Sequence, residues 1–390
     1  MSSNSNTNVV RNTERRKSRT KRLMDALKSS AGLFNNKGKL VVYGFIFMIA
    51  MFILFYMYKL STYTKTHCAT INSIYKERAS VASLDMAKYK DNALRDFYIR
   101  TAYNCCAIGY FTNTFVDLCA LENVLKQGAR CLDFEIYAVD NQPVIAVSAS
   151  DNVYFKQSFN YLTTNDVLNY INTYAFSGAM CPNPQDPLIL HFRFKTDLVP
   201  IMNKFASDVQ NILGDRLLNN NYNDAYFGKN LGGVPISNFM RKIIISVNIH
   251  NKEVLKAEKL MKVTNIESGS PFLRQLRKHD VLYTPSSNEL TDYNKQNMSI
   301  AIPDVTYSTE NLPFHLCQEY GIQMIGMCYQ NFDSNMELCA EFFGENNAAF
   351  VLKPASLRYE PIVIEKPKPL PKSVSFAPRN IQKPYYSFKI

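Results

Sequence analysis

Two short segments place ionisable side chains inside runs that otherwise read as buried strands: Arg130-Cys131-Leu132-Asp133-Phe134-Glu135-Ile136-Tyr137 and Pro187-Leu188-Ile189-Leu190-His191-Phe192-Arg193-Phe194-Lys195. Strand side chains alternate with period two. Asp133, Glu135 and Tyr137 therefore share one face opposite Leu132, Phe134 and Ile136, while His191, Arg193 and Lys195 lie opposite Leu190, Phe192 and Phe194. Two carboxylates turned into one cavity repel each other, so they need a cation, a shared proton or a guanidinium between them. Arg193 offers the last of these, with a fixed charge and five planar donors. We expect it to pair with Asp133, Glu135 or both.

Strands with one apolar and one charged face suit a small parallel barrel, whose outer face packs on helices and whose inner charges gather at the mouth. The surrounding pattern agrees. Strands are expected at Phe97–Ala102, 130–137, Pro143–Ser148, 187–195, Lys242–Asn248, Asp280–Tyr283, Ile322–Tyr329 and Ala348–Leu352, with helices at Val116–Lys126 (ended by Gly128), Asp166–Ala175 and 198–212. Alternating β and α over 96–360 has the length and rhythm of a (β/α)8 barrel. The Asn-rich stretch Asn219–Lys229 separates its halves, 96–214 and 235–360.

Of the formal charge of +11, residues 1–39 carry ten Lys/Arg against two acids and residues 361–390 six against one, which leaves about −2 between them. The body thus lacks the basic footprint of a nucleic-acid-binding domain, and the two ends read as solvated tails, the second Pro/Lys-rich and extended or disordered. Leu40–Tyr58 is nineteen residues without a charge, enough to span a bilayer as a helix. Residues 59–95 read as a stalk or packing helix. Basic residues are denser before the span, which predicts a single-pass protein with a cytosolic N-terminus and a non-cytosolic barrel. All nine cysteines follow the span, where disulfides are permitted, and Asn297-Met298-Ser299 is a glycosylation sequon. This layout suits a cell-surface or virion-envelope protein.

Phe97–Asn104 (FYIRTAYN), Leu121–Ile136 (LENVLKQGARCLDFEI) and Pro143–Ile145 resemble the X box of eukaryotic-type phosphoinositide-specific phospholipase C. Gln323–Phe332 (QMIGMCYQNF) and Phe350–Arg358 (FVLKPASLR) are similar to the end of its Y box. The resemblance implies a barrel split by an X/Y linker. It further implies cleavage of a phosphodiester by two His, one acting at the inositol 2-hydroxyl and one protonating the leaving alkoxide, beside a calcium ion that neutralises charge at phosphate.

Mapped residue by residue, the two His positions are Tyr103 and Val147. Asn104 matches the Asn ligand, Asp133 and Glu135 occupy the acidic positions with Asp and Glu exchanged, and Arg193 replaces a ligating Glu. Tyrosine, with a pKa of about 10, does not shuttle protons near neutrality, and valine has none to move. The expectation is a catalytically inactive, membrane-anchored barrel without metal or other cofactor, serving as a structural, lipid-binding or receptor-contacting module. The alternative is a phosphoric diester hydrolase with a rebuilt site using His191 and His250, for which calcium would be the cofactor.

Overall fold

The computed structural model describes residues 21–22, 25, 36–77, 79–150, 155–361, 367–368 and 377–390. Most of the basic N-terminal segment and of the Pro/Lys-rich run lies outside these residues. Helix α1 (Asn36–Ile74) is continuous. It joins the apolar span to the first part of the stretch expected to be a stalk or packing helix, and among the described residues it is the one helix long and apolar enough to cross a membrane. Leu40 to Tyr58 project from the body with their apolar side chains exposed, whereas Ile71 is buried in the main core.

The body is a nearly closed barrel. Its eight staves are β1 (Phe97–Ala102), β2 (Cys131–Val139), β5 (Leu188–Lys195), β6 (Ile243–Asn248), β7 (Ile266–Ser268), β8 (Leu273–Arg277), β9 (Met298–Ile302) and β10 (Met324–Met327), paired in the order β7-β6-β5-β2-β1-β10-β9-β8. Every pairing along that path is parallel. The remaining seam, between β7 and β8, lacks a ladder. There Gly269, at φ 95°, turns the chain and donates its N–H to Leu273 O at 2.8 Å, and Asn248 Nδ2 reaches across to Gln275 Oε1 at 2.7 Å.

Two segments expected as strands lie off this circuit. β3 (Gln142–Ala146) folds back antiparallel on β2 and pairs with the short β4 (Leu162–Thr163), while β11 (Phe350–Leu352) runs antiparallel to β1. A third expectation is corrected: Asp280–Tyr283 is not a strand but falls in and just after a helical turn, Lys278–Leu282, capped where Asp280 accepts from the N–H of Arg277. The staves β7, β8 and β9 replace these three. Beyond the Pro-rich run the C-terminal end is also not uniformly extended, since β12 (Asn380–Lys383) and β13 (Tyr386–Lys389) form a hairpin.

Three helices on the first half follow the expected boundaries: α2 (Leu118–Lys126), α3 (Thr164–Tyr174) and α4 (Val199–Leu213). Each turns its apolar stripe to the barrel; Leu121, Val124 and Leu125 of α2 are fully covered. Gly128, at φ 73°, provides the left-handed exit after α2. Cys68 of α1 and Cys119 of α2 form a disulfide, and the other seven cysteines are buried thiols. The sequon is poorly placed for a glycan: Asn297 Oδ1 accepts from Asn230 Nδ2, and Ser299 is buried in β9.

One apolar core runs through both halves of the barrel. Protease cleavage within 219–229, where short helical turns lie between α4 and β6, should therefore nick the chain without separating the fragments on a sizing column. Fragments that part and stay folded would contradict a shared core.

Candidate functional site at the barrel mouth

The ladder register builds the site. β2 and β5 pair with Asp133 opposite His191 and Glu135 opposite Arg193, and β5 and β6 pair with His191 opposite Ser246. Alternation then sends all these side chains inward on two adjacent layers. Asn104 enters from the loop after β1. Its φ of 44° is left-handed, a conformation that asparagine tolerates better than most residues, and its N–H reaches Asp133 Oδ2 at 3.2 Å.

Arg193 fills the centre of this group. Its Nε and Nη2 donate to the two oxygens of Asp133 at 2.9 and 2.7 Å, Nη1 donates to Glu135 Oε1 at 2.8 Å, and Nη2 also reaches Asn104 Oδ1 at 3.0 Å. The other Glu135 oxygen accepts from Tyr137 Oη at 2.6 Å and the Ser148 N–H at 3.1 Å. All of these side chains are buried. Burial alone pushes the Asp133 carboxyl up, but the Arg193 guanidinium and the hydrogen bonds from His191 and Arg193 outweigh it and hold the group well below the usual carboxylate range. Burial likewise opposes the charge on Arg193, yet Asp133 in particular drives its pKa higher still. The guanidinium stays charged.

The two positions that the resemblance assigns to catalytic His carry a buried tyrosine and a buried valine. The Tyr103 ring stacks over Arg193, 4.7 Å from the guanidinium carbon to the ring centre, and meets Phe111 edge-on at 5.5 Å. Burial raises its hydroxyl further above neutrality. Val147 is buried, and its carbonyl accepts from the N–H groups of Gln157 and Ser158.

His191 and His250 belong to one chain of polar contacts. His191 Nδ1 lies 2.7 Å from Asp133 Oδ1 and Nε2 lies 2.7 Å from Ser268 Oγ. Asn248 Nδ2 in turn contacts Ser268 Oγ at 3.2 Å and His250 Nδ1 at 2.9 Å. An ionised carboxylate only accepts, so His191 Nδ1 carries the hydrogen. Asp133, His191 and Ser268 thus stand in the order of an acid–base–nucleophile triad, but all three are buried beneath the mouth and His250 sits at the exposed rim. Sequence reasoning missed Ser268 and Asn248. Ser268 ends a three-residue strand too short to show a period, while Asn248 stood on an expected strand with nothing to mark its neighbour.

Calcium does not fit these residues as they stand. A calcium ion takes six to eight oxygen ligands. Here Asn104 Oδ1, both Asp133 oxygens and both Glu135 oxygens already accept hydrogen bonds, four of them from one guanidinium inside the set. The charge that a metal would bring is supplied by Arg193.

The comparisons with known proteins bear on the family and the fold. The X domain of phosphatidylinositol-specific phospholipase C matches residues 90–249, and the Y domain matches residues 244–356. Among solved structures, the chain is similar to L. pealei PLC21 (TM-score 0.58, 19% identity, covering 71% of this chain and 39% of that one). It is similar to S. officinalis PLC21 to the same degree (TM-score 0.57, 18% identity, 71% and 39%). At such identities the likeness concerns the barrel fold, and this chain spans well under half the length of either protein. A search of curated proteins found no match. With both domains matched in order across the whole barrel, the chain belongs to the phosphatidylinositol-specific phospholipase C X/Y family.

Proposed function

We propose that the chain is a catalytically inactive phospholipase C barrel, held on a membrane by α1 with its N-terminus cytosolic and its barrel outside the cytosol, where it acts as a structural, lipid-binding or receptor-contacting surface module. The observation that carries this reading is the Arg193 guanidinium, locked among Asp133, Glu135 and Asn104 beneath the Tyr103 ring. A site so filled has neither a proton shuttle at Tyr103 and Val147 nor room for a divalent ion. The Cys68–Cys119 disulfide supports the placement outside the cytosol, where such bonds persist.

The test is a phosphodiesterase assay of the full chain in liposomes containing phosphatidylinositol and its phosphates. Turnover should stay at background with and without calcium, and calcium titrated into the protein should give no binding heat. Micromolar calcium binding would remove the basis of the proposal.

A second reading is favoured by the contacts from Asp133 through His191 and Ser268 to Asn248 and His250: a phosphodiester hydrolase with a rebuilt site. It expects turnover in the same assay that disappears in His191→Asn and in His250→Asn. Turnover indifferent to both imidazoles would exclude it.

A further inference from the structure

Helix α1 and the C-terminal segment leave the barrel at opposite ends. Tyr63 Oη lies 3.2 Å from Thr114 Oγ1, Cys68 is bonded to Cys119, and Asn72 Oδ1 accepts from Asn123 Nδ2 at 2.7 Å. The pairs keep one order along both segments, so α1 runs parallel to α2. Because β1 and β2 are parallel, α2, which joins them, runs from the mouth end of the barrel to its base, and the apolar span preceding Tyr63 lies beyond the mouth end. At the other end, β11 runs antiparallel to β1 with Leu352 opposite Phe97, the first residue of that strand, and the Lys353 N–H donates to Asp96 O at 2.9 Å. The chain after Leu352 therefore departs from the base.

It leads to the hairpin of β12 and β13, whose register sorts the side chains by face. Ile381 pairs with Phe388 and Lys383 with Tyr386, while Arg379 and Ile390 exchange both backbone N–H bonds at 2.8 and 2.9 Å. Alternation then puts Arg379, Ile381, Lys383, Tyr386, Phe388 and Ile390 on one face and Asn380, Gln382, Ser387 and Lys389 on the other. The first face is an apolar strip in which the Tyr386 and Phe388 rings stack with centres 5.8 Å apart. Its two cations sit at the ends of β12, about 13 Å from each other along the strand. All of its side chains but Ile381 are exposed, and among the described residues no hydrogen bond or ion pair ties 379–390 to the barrel. A two-stranded hairpin alone is marginal in water, so this face gains from being covered.

Charge selects the chemistry of the cover. Residues 366–390 hold six Lys/Arg and no Asp or Glu, so the complement is a polyanion. Size argues against a folded protein: the strip measures roughly 17 Å by 10 Å, on the order of 200 Å², against about 800 Å² per partner in a specific protein interface. A linear polyanion needs no such area, because charges in series and single stacked rings supply its affinity. Anionic lipid is concentrated in the cytoplasmic leaflet, across the membrane from the barrel as proposed above, and the hairpin departs from the end of the barrel away from α1. A sulfated saccharide matches both halves of the strip. Its sulfate oxygens accept from Arg379 and Lys383, and the C–H face of a sugar ring lies on the faces of Tyr386 and Phe388.

We infer that the β12–β13 hairpin is a docking surface for a linear sulfated polysaccharide, which pairs its sulfates with Arg379 and Lys383 and lays its rings on Tyr386 and Phe388. The inference rests on the receptor-contacting reading above and gives that receptor a chemical class. It locates the contact in the C-terminal hairpin and not at the filled mouth.

The chain has no tryptophan, so Tyr385→Trp, at a position 97% exposed in the turn between the two strands, reports on the hairpin alone. The full-length reporter is reconstituted in phosphatidylcholine liposomes and titrated with heparin, with desulfated heparin and with single-stranded DNA of equal charge. Heparin should shift the emission saturably, and desulfated heparin should not. Adding Arg379→Gln together with Lys383→Gln should weaken the response about tenfold or more. Phe388→Ala, which leaves the charge unchanged, should weaken it about threefold or more. A reporter silent toward heparin overturns the inference. So does a response that DNA matches or that Phe388→Ala leaves intact, because charge alone then accounts for it. A response to phosphatidylserine in the liposomes but not to heparin assigns the strip to lipid and overturns it as well. The phosphodiesterase assay reads the proposed function separately: turnover together with a heparin response leaves the docking surface standing on an active enzyme, and background turnover without that response removes the docking surface alone.

Discussion

Replacing Arg193 with alanine should cost the barrel about 3–5 kcal/mol, the range for breaking a buried ion pair by removing one partner. For a domain of this size the melting temperature should fall by at least about 6 °C. Truncation leaves Asp133 and Glu135 facing each other in the interior, and it orphans the Asn104 carbonyl oxygen and three carboxylate contacts. The pH dependence distinguishes this cause from a simple cavity. In the native protein Asp133 has a folded pKa below its unfolded value, so its contribution to stability is present above about pH 4 and is lost as pH falls through the folded pKa. Without Arg193, burial acts with less opposition and pushes the carboxyl up, so stability should instead decline as pH rises above about 4. Thermal melts of Arg193→Ala and of the native chain from pH 4 to pH 7 should therefore diverge with increasing pH. A deficit independent of pH would mean that packing rather than charge was lost. Arg193→Lys should fall between the two, because one ammonium cannot serve Asp133, Glu135 and Asn104 in the same plane.

How much of this site was legible in the sequence follows from strand length. β2 and β5 run for nine and eight residues with an unbroken alternation, so the inward face and the meeting of Arg193 with Asp133 and Glu135 are legible in the sequence alone. β7 has three residues, and β8 (LRQLR) has apolar side chains at only two of five positions. Neither gives a period, so the strand pattern of the barrel's second half points partly to the wrong segments. Asp280–Tyr283 looked like a strand because Val281 and Leu282 are apolar neighbours, but the Asp280 cap on Arg277 starts a helical turn there.

Lys353→Met should stabilise the protein at neutral pH by up to roughly 5 kcal/mol, the reverse of the usual effect of a core substitution. Lys353 is 2% exposed at the end of β11, on the lower side of the barrel away from the mouth. Burial dominates its environment and lowers its pKa from 10.5 to about 7, with Asp96 opposing that shift and Arg95 adding to it. An unfolded chain would hold this proton up to about pH 10.4. Below pH 7 both states are charged, and the folded state bears the full penalty of a buried ammonium. Between about pH 7 and 10.4 the unfolded state binds more protons, so native stability rises with pH at up to about 1.4 kcal/mol per unit. Methionine has similar length and no charge, which removes both the penalty and the slope. It should leave little unsatisfied behind, because the Asn294 carbonyl to which Lys353 Nζ donates at 3.0 Å also accepts from Gln323 Nε2 at 2.9 Å. Denaturant melts at pH 6, 7, 8 and 9 would show the native chain gaining stability across the series while Lys353→Met lacks that increment. If the variant were less stable than the native chain at pH 6, the bond to Asn294 and the attraction of Asp96 would outweigh the cost of burying the charge, and Lys353 would be a structural cation comparable to Arg193.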